Sequence, residues 1–286
     1  MKTSRKTTQA DKGHAFRALH ARDGAFIIPN PWDVGSARIL AQSGFEALAT
    51  TSAGFAFSLG RRDNTVARDA MLDHVATIAG ATDLPVSADL ENGYADTPEG
   101  VAETLALAAT TGIVGASIED ATGNPDHPLF DIAIAAERVR AAAAAVHALP
   151  FPFMLTARAE NFLVGRKDLA DAIRRLQAYQ DAGADVLYAP GLVDRDDIAA
   201  VVKSVDRPVN VVMGLAGARF SLAELGALGV RRVSVGSALA RVALGALIDA
   251  AKEMRERGTF AFADRAVAYG ELGTMFDSLL ERSERT

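Results

Sequence analysis

A (β/α)8 TIM barrel with extra C-terminal helices is the architecture this sequence predicts, and three observations predict it. Eight short β-prone runs alternate with alanine-rich, helix-compatible stretches between residue 25 and about residue 250. No G-x-G-x-x-G follows the first run, which removes the usual reason to prefer a dinucleotide-binding sheet. Polar and charged residues gather at the C-terminal ends of the runs, the rim where such barrels hold their ligands. At 286 residues the chain fits one barrel domain spanning 1–286, since barrels of this class run to roughly 200–300 residues.

The predicted strands are 25–30, 46–52, 85–90, 115–120, 153–158, 185–190, 208–213 and 232–236. Between them, helical stretches include 35–43, 97–111, 131–148 and 167–182. Gly44, Gly112, Gly183 and Gly229 fall just after helices and before the next strand, where a left-handed stop is expected. The alanine run 141–145 reads as a helix face rather than as disorder. Beyond strand eight the chain continues through 238–256, Gly258 and a further helical stretch at about 263–280. These C-terminal helices, about 238–286, exceed what closing a barrel requires and suggest a homo-oligomer.

Composition narrows the chemistry. There is no cysteine, so no disulfide, thiolate nucleophile or Cys-ligated metal is available. A net charge of −6 gives no electrostatic reason to expect nucleic acid or an anionic membrane. The basic segment 1–6 is followed by no apolar stretch before Ala25, so no secretory signal is expected. Apolar runs stay far below the roughly 18 residues a membrane span needs. The expected location is the cytoplasm.

The strand ends carry the candidate site. Strand three closes in Asp89-Leu90-Glu91, and residues i and i+2 of a strand share a side, so both carboxylates are expected to project together. Paired hard oxygen donors suit Mg²⁺, with Mn²⁺ as a substitute. Strand four closes in Glu119-Asp120, which also reads as an acid pair at a helix N-terminus. Strand five closes in Thr156-Ala157-Arg158-Ala159-Glu160, with Glu160 or Asp185 as ion-pair partners for Arg158. Strand two closes in Thr50-Thr51-Ser52-Ala53-Gly54, either a tight turn or a set of backbone amides open to an anion. Strands six to eight end in less reactive groups: Tyr188, Asn210, Ser234 and Ser237. Clustered acids beside an arginine at one rim point to a cation and a small anionic ligand. The five histidines read mostly as surface groups on helices, with His127, in the loop after strand four, as the one functional candidate among them.

Taken in order, S-A-G after strand two, D-x-E after strand three, I-E-D after strand four and T-A-R after strand five resemble the isocitrate lyase/phosphoenolpyruvate mutase superfamily. The similarity runs from about residue 28 to 258, in the form of a phosphonomutase-like branch. The resemblance implies that Asp89 lies nearest Mg²⁺, with Glu91 and Glu119 holding its waters. It implies that Arg158 and the backbone of Ser52, Ala53 and Gly54 bind the α-oxo-carboxylate or enolate end of a substrate. It places Asp63 over the reacting centre, and implies a terminal helix exchanged between subunits of a tetramer. The expected activity is a Mg²⁺-dependent carbon–carbon lyase or decarboxylase on a small 2-hydroxy or 2-oxo (di)carboxylate. The alternatives are P–C bond chemistry and a non-catalytic α-keto-acid-binding homologue. This chain departs from the lyases in the loop after strand four, which reads Asp120-Ala121-Thr122-Gly123-Asn124-Pro125-Asp126-His127-Pro128 and has neither the lysine nor the cysteine of their motif. Tyr94, Glu160, His127 and water stand as its candidate proton donors.

Overall fold

Four of the helix-to-strand connections turn on a glycine that allows a left-handed backbone: Gly44, Gly112, Gly183 and Gly229 all have φ between 87° and 107°. The computed structural model describes residues 7–284, with side chains described to residue 276; the basic segment 1–6 lies outside the described residues. In chain order the elements are α1 (Gln9–Ala21), β1 (Phe26–Ile28), α2 (Val34–Gln42), β2 (Leu48–Ala49), α3 (Ser52–Ser58), α4 (Arg68–Gly80) and β3 (Val86–Asp89). Then follow α5 (Pro98–Ala109), β4 (Gly115–Glu119), α6 (Ile132–His147), β5 (Met154–Arg158), α7 (Leu169–Asp181) and β6 (Val186–Tyr188). The chain ends with α8 (Arg195–Lys203), β7 (Val209–Val212), α9 (Leu222–Ala227), β8 (Arg232–Ser234), α10 (Ala238–Arg257), a 3-10 turn (Ala261–Arg265) and α11 (Tyr269–Glu284).

All eight predicted strands form, each shorter than its run. They pair in parallel in the order β1-β8-β7-β6-β5-β4-β3-β2. The remaining seam is stitched by the Ala49 amide donating to the Pro29 carbonyl (3.0 Å) and by the Asn30 side chain donating to the Thr50 carbonyl (2.9 Å). The protein is therefore a nearly closed (β/α)8 barrel. Ser52, predicted to end a strand, instead begins α3, because Thr51 caps that helix by accepting from the Gly54 amide.

The N-terminal mouth of the barrel is closed by α1. Gln9 donates to the carbonyls of Ala109 and Ile113, and Lys12 to that of Thr82, all just ahead of strands. Phe16, Leu19 and His20 are buried beneath the barrel. His20 and His74 therefore correct the expectation of surface histidines: only His14, His127 and His147 are exposed. Helix α1 brings His20 edge-on to Phe16 and Phe26, and α4 stacks His74 on Phe55. Closing one mouth leaves ligands the other.

At the C-terminus, α10 stops at Gly258 in the left-handed conformation. Helix α11 lies against α2 of the same chain, with the Gln42 side chain donating to the Met275 carbonyl. No helix of the described residues is long and apolar enough to cross a membrane.

Candidate active site

At the strands' C-terminal ends lies a cavity of about 180 Å³, at the small end of what a ligand pocket offers. Four charged side chains line it: Asp63, Asp89, Arg158 and Arg232. Ser52 and Ala53 line it as well, so five of the eight expected site residues meet there. Gly54, Glu91 and Glu119 stand behind its wall.

Asp89 ends β3 and is fixed from three sides. Its amide donates to the Thr50 hydroxyl (2.9 Å), Oδ2 accepts from the Ser52 amide and hydroxyl (both 3.0 Å), and Oδ1 accepts from Arg158 Nη1 (2.9 Å). Glu91 does not reach the site by strand alternation. The strand ends at Asp89, and the chain turns through left-handed backbone at Glu91 (φ 49°), Gly93 (φ 80°) and Tyr94 (φ 56°). That turn is clamped from outside by the buried Arg138 of α6, whose guanidinium donates to the carbonyls of Asn92, Ala95 and Asp96. Burial, then the neighbouring Asp89 and Asp63, push the Glu91 carboxyl up to about 7.

Arg158 is the hub. Besides Asp89 it pairs through Nη2 with Glu119 (3.0 Å) and through Nε with Glu160 (2.9 Å), and it lies over the Tyr188 ring. Burial disfavours its charge, but Glu119, Glu160 and Asp89 outweigh that and hold it protonated. These contacts use three of its five N–H groups, leaving two for a ligand oxygen. Asp185, the other expected partner, instead accepts from the Leu155 amide and pairs with His147. Burial raises the carboxyls of Glu119 and Glu160 against the opposing pull of Arg158.

Asp120 is no helix-terminal acid. Wholly buried, it accepts from the Glu160 amide (2.8 Å), from Arg175 (2.9 Å) and from the Tyr179 hydroxyl (2.5 Å). It thereby positions Glu160 beneath Arg158. Asp63 sits on the exposed loop after Gly60, where partial enclosure and then Asp89 push its carboxyl up. Of the three amides after Thr51, that of Ser52 is taken by Asp89 and that of Gly54 by Thr51, which limits the expected anion site to Ala53. A Cβ on Gly54 would come within 2.6 Å of Thr51 Cγ2 and 3.0 Å of Trp32 Cβ, so close packing explains that glycine. The loop 121–130 contributes no cavity residue, and His127 is exposed on it. Tyr94 and Glu160 likewise stand outside the lining.

The donor set fits a hard divalent cation. Glu91, Glu119, Glu160 and Asp63 are all pushed toward protonation by burial and then by neighbouring carboxylates, with Arg158 bound among them. Among the described residues no three His, Cys, Asp or Glu side chains converge on one point. Mg²⁺ takes one or two carboxylates and fills the remaining positions with water and substrate oxygens, and Asp89 at the cavity wall is the carboxylate placed to serve it.

Sequence reasoning passed over Arg232, which lines the cavity, and Arg138 and Arg175, which brace it. Alternation in Arg232-Val233-Ser234, with two polar residues facing one side of a core strand, was the available signal for the first.

Residues 16–255 match the family model described as phosphoenolpyruvate phosphomutase. A crystal structure of a candidate lyase/mutase from Burkholderia cenocepacia J2315 matches at 63% identity with a TM-score of 0.92, covering 94% of this chain and 96% of that one. Oxaloacetate decarboxylase of Chromohalobacter salexigens is 28% identical over 281 residues, 97% of this chain and 95% of the relative. A phosphonopyruvate hydrolase, crystallised with oxalate and Mg²⁺, matches at 25% identity with a TM-score of 0.84, covering 95% of this chain and 97% of that one. With most of its length matched by the family model and its rim motifs gathered around one barrel cavity, the chain belongs to the isocitrate lyase/phosphoenolpyruvate mutase superfamily of enzymes.

Proposed function

We propose that this protein is a Mg²⁺-dependent carbon–carbon lyase or decarboxylase acting on a small 2-oxo or 2-hydroxy (di)carboxylate. The observation that carries the reading is the Arg158 hub, a buried guanidinium oriented by three carboxylates and retaining two N–H groups at a cavity of about 180 Å³. Cleaving a bond next to a 2-oxo acid leaves an enolate, whose charge develops on oxygens that this site can meet with fixed donors. Asp89 would hold the cation directly, Glu91 and Glu119 through its waters. When bound, it supplies Lewis-acid stabilisation of the 2-oxo and carboxylate oxygens.

The chain's own residues supply the rest. Arg158 binds the α-carboxylate or developing enolate oxygen with its free N–H groups, and the Ala53 amide adds a neutral donor. Ser52 keeps Asp89 oriented through two hydrogen bonds. Asp63, at the cavity mouth with a raised carboxyl, can hold a proton over the reacting carbon. In this reading it takes the donor role that the loop after strand four does not fill. The enzyme is further read as cytoplasmic and as a homo-oligomer, the latter supported by Val242, Leu247 and Ile248 of α10, each more than half exposed.

The test is product analysis with oxaloacetate, 2-methylisocitrate, 2,3-dimethylmalate and phosphonopyruvate, each with and without EDTA. EDTA-sensitive release of a 2-oxo acid from one of the carbon acids, above the enzyme-free rate, is expected. Phosphate release from phosphonopyruvate with no carbon-acid turnover would replace this reading with P–C chemistry, the second reading that the family model's description favours.

A further inference from the structure

Behind the cavity wall, one buried arginine is spent on backbone rather than on a carboxylate. Arg138 of α6 is only 1% exposed. Its Nη1 donates to the carbonyls of Ala95 (2.7 Å) and Asp96 (3.1 Å), and its Nη2 to that of Asn92. The ring of Phe130, where the loop after β4 ends, lies 4.0 Å from its Cζ and covers the guanidinium. Burying such a charge is costly, so what it holds in place is the informative point.

The segment it holds is both strained and repelled. Glu91 (φ 49°) and Tyr94 (φ 56°) have left-handed backbone, unfavourable for residues that carry a Cβ. Such conformations persist only where the surroundings over-determine them. Here the Glu91 carbonyl accepts from the Glu119 amide (2.9 Å), and the Gly93 amide donates to the Leu90 carbonyl (2.8 Å). Arg138 fixes the carbonyls at 92, 95 and 96, directly after Glu91. The Glu91 carboxylate adds a push of its own, because Asp89 and Asp63 repel it. Strain and repulsion both favour a turn that opens away from the cavity, and the Arg138 fork opposes both. Arg138 also borders a void of about 10 Å³ together with Glu119 and Arg158, so it stands behind Glu119 as well.

We infer that Arg138 is a positioning residue of the metal site: from behind the barrel wall, its fork holds the 91–96 turn so that the Glu91 carboxylate stays beside Asp89. This rests on the reading in which Glu91 holds metal-bound water. It goes further by tying cation affinity to a side chain that touches neither cation nor substrate. The planar fork spans carbonyls that the single ammonium of a lysine cannot serve together.

Mn²⁺ affinity, read by electron paramagnetic resonance, tests the inference. It is measured on wild type, Arg138→Met, Arg138→Lys, Glu91→Gln and the double variant Arg138→Met/Glu91→Gln, with circular dichroism confirming each fold. Arg138→Met should weaken Mn²⁺ binding by about 10-fold or more, the scale of lost outer support for a metal ligand. Arg138→Lys should recover only part of that loss. In the Glu91→Gln background, removing Arg138 should change affinity by less than about twofold, because both act through one carboxylate. A general loosening of the fold would instead show its full effect there. That additive outcome, or wild-type affinity in folded Arg138→Met, overturns the role of Arg138 and leaves the metal site standing. If Met does not fold, the Lys variant decides, since wild-type affinity there contradicts a fork-held turn. No Mn²⁺ binding by the wild type, or unchanged affinity in Glu91→Gln, overturns the reading of Glu91 together with the inference.

Discussion

Asp89 carries the largest share of the proposed chemistry, and its environment sets what its removal should do. It accepts hydrogen bonds from Ser52 and Arg158, yet four further acids crowd the same space. Asp89→Ala should therefore abolish Mn²⁺ binding, read by electron paramagnetic resonance, while costing only about 1 kcal/mol in urea unfolding, since lost hydrogen bonds are offset by relieved repulsion. Unchanged Mn²⁺ affinity would remove Asp89 from the metal site. His20 behaves oppositely, as a neutral group that resists charging. Burial, then Arg232, lower it to about 3, whereas an unfolded histidine titrates near 6.5. Between those values the unfolded chain binds a proton that the native state refuses. Stability should thus fall with acidification from pH 6.5, by about 2 kcal/mol at pH 5. A His20→Gln variant should show a shallower acid slope in its Tm, and an equal slope would mean that other groups dominate.

Elements hold these residues through contacts that sequence patterns reveal unevenly. Strand positions were legible because short apolar runs end in polar residues, and helix stops because glycine marks the left-handed turn. Asp89 and Arg158 sat where alternation placed them. Glu91 arrived by a different route, a turn held by Arg138 from α6, which period-2 reasoning has no means to anticipate. Asp120 also read as half of an acid pair at a helix N-terminus, because its partners Arg175 and Tyr179 lie more than 50 residues away. Its removal should be severe: Asp120→Ala strands the Tyr179 hydroxyl and leaves Arg175 with Asp171 and the Phe130 carbonyl, costing about 3–5 kcal/mol in denaturant unfolding. At the other mouth, Gly13 lets α1 dock, since a Cβ there would lie 2.3 Å from the Pro152 carbonyl oxygen. Gly13→Ala should cost about 1–3 kcal/mol by lifting α1 from the barrel, and a change under ~0.5 kcal/mol would show that the helix can shift freely.

For the molecule as a whole, the division of labour follows the barrel axis. Helix α1 seals one mouth, a polar layer around Arg232 floors the cavity, and the acids with Arg158 ring the open end. In the proposed reaction this frame would stabilise charge and what lies above it would select the bond to be cleaved; loop 121–130 takes no part in the cavity wall. The exposed apolar residues of α10 belong to the same scale, and light scattering should give a mass that is a multiple of 30.0 kDa. The central claim, enolate stabilisation, is tested most directly without knowing the physiological substrate. Pyruvate in D₂O, followed by proton NMR, reports enolate formation as loss of its methyl signal. Exchange should exceed the enzyme-free rate with Mg²⁺, stop with EDTA, and fall by about 10²-fold or more in Arg158→Met. Exchange at the enzyme-free rate with the folded, Mg²⁺-loaded protein would contradict the account.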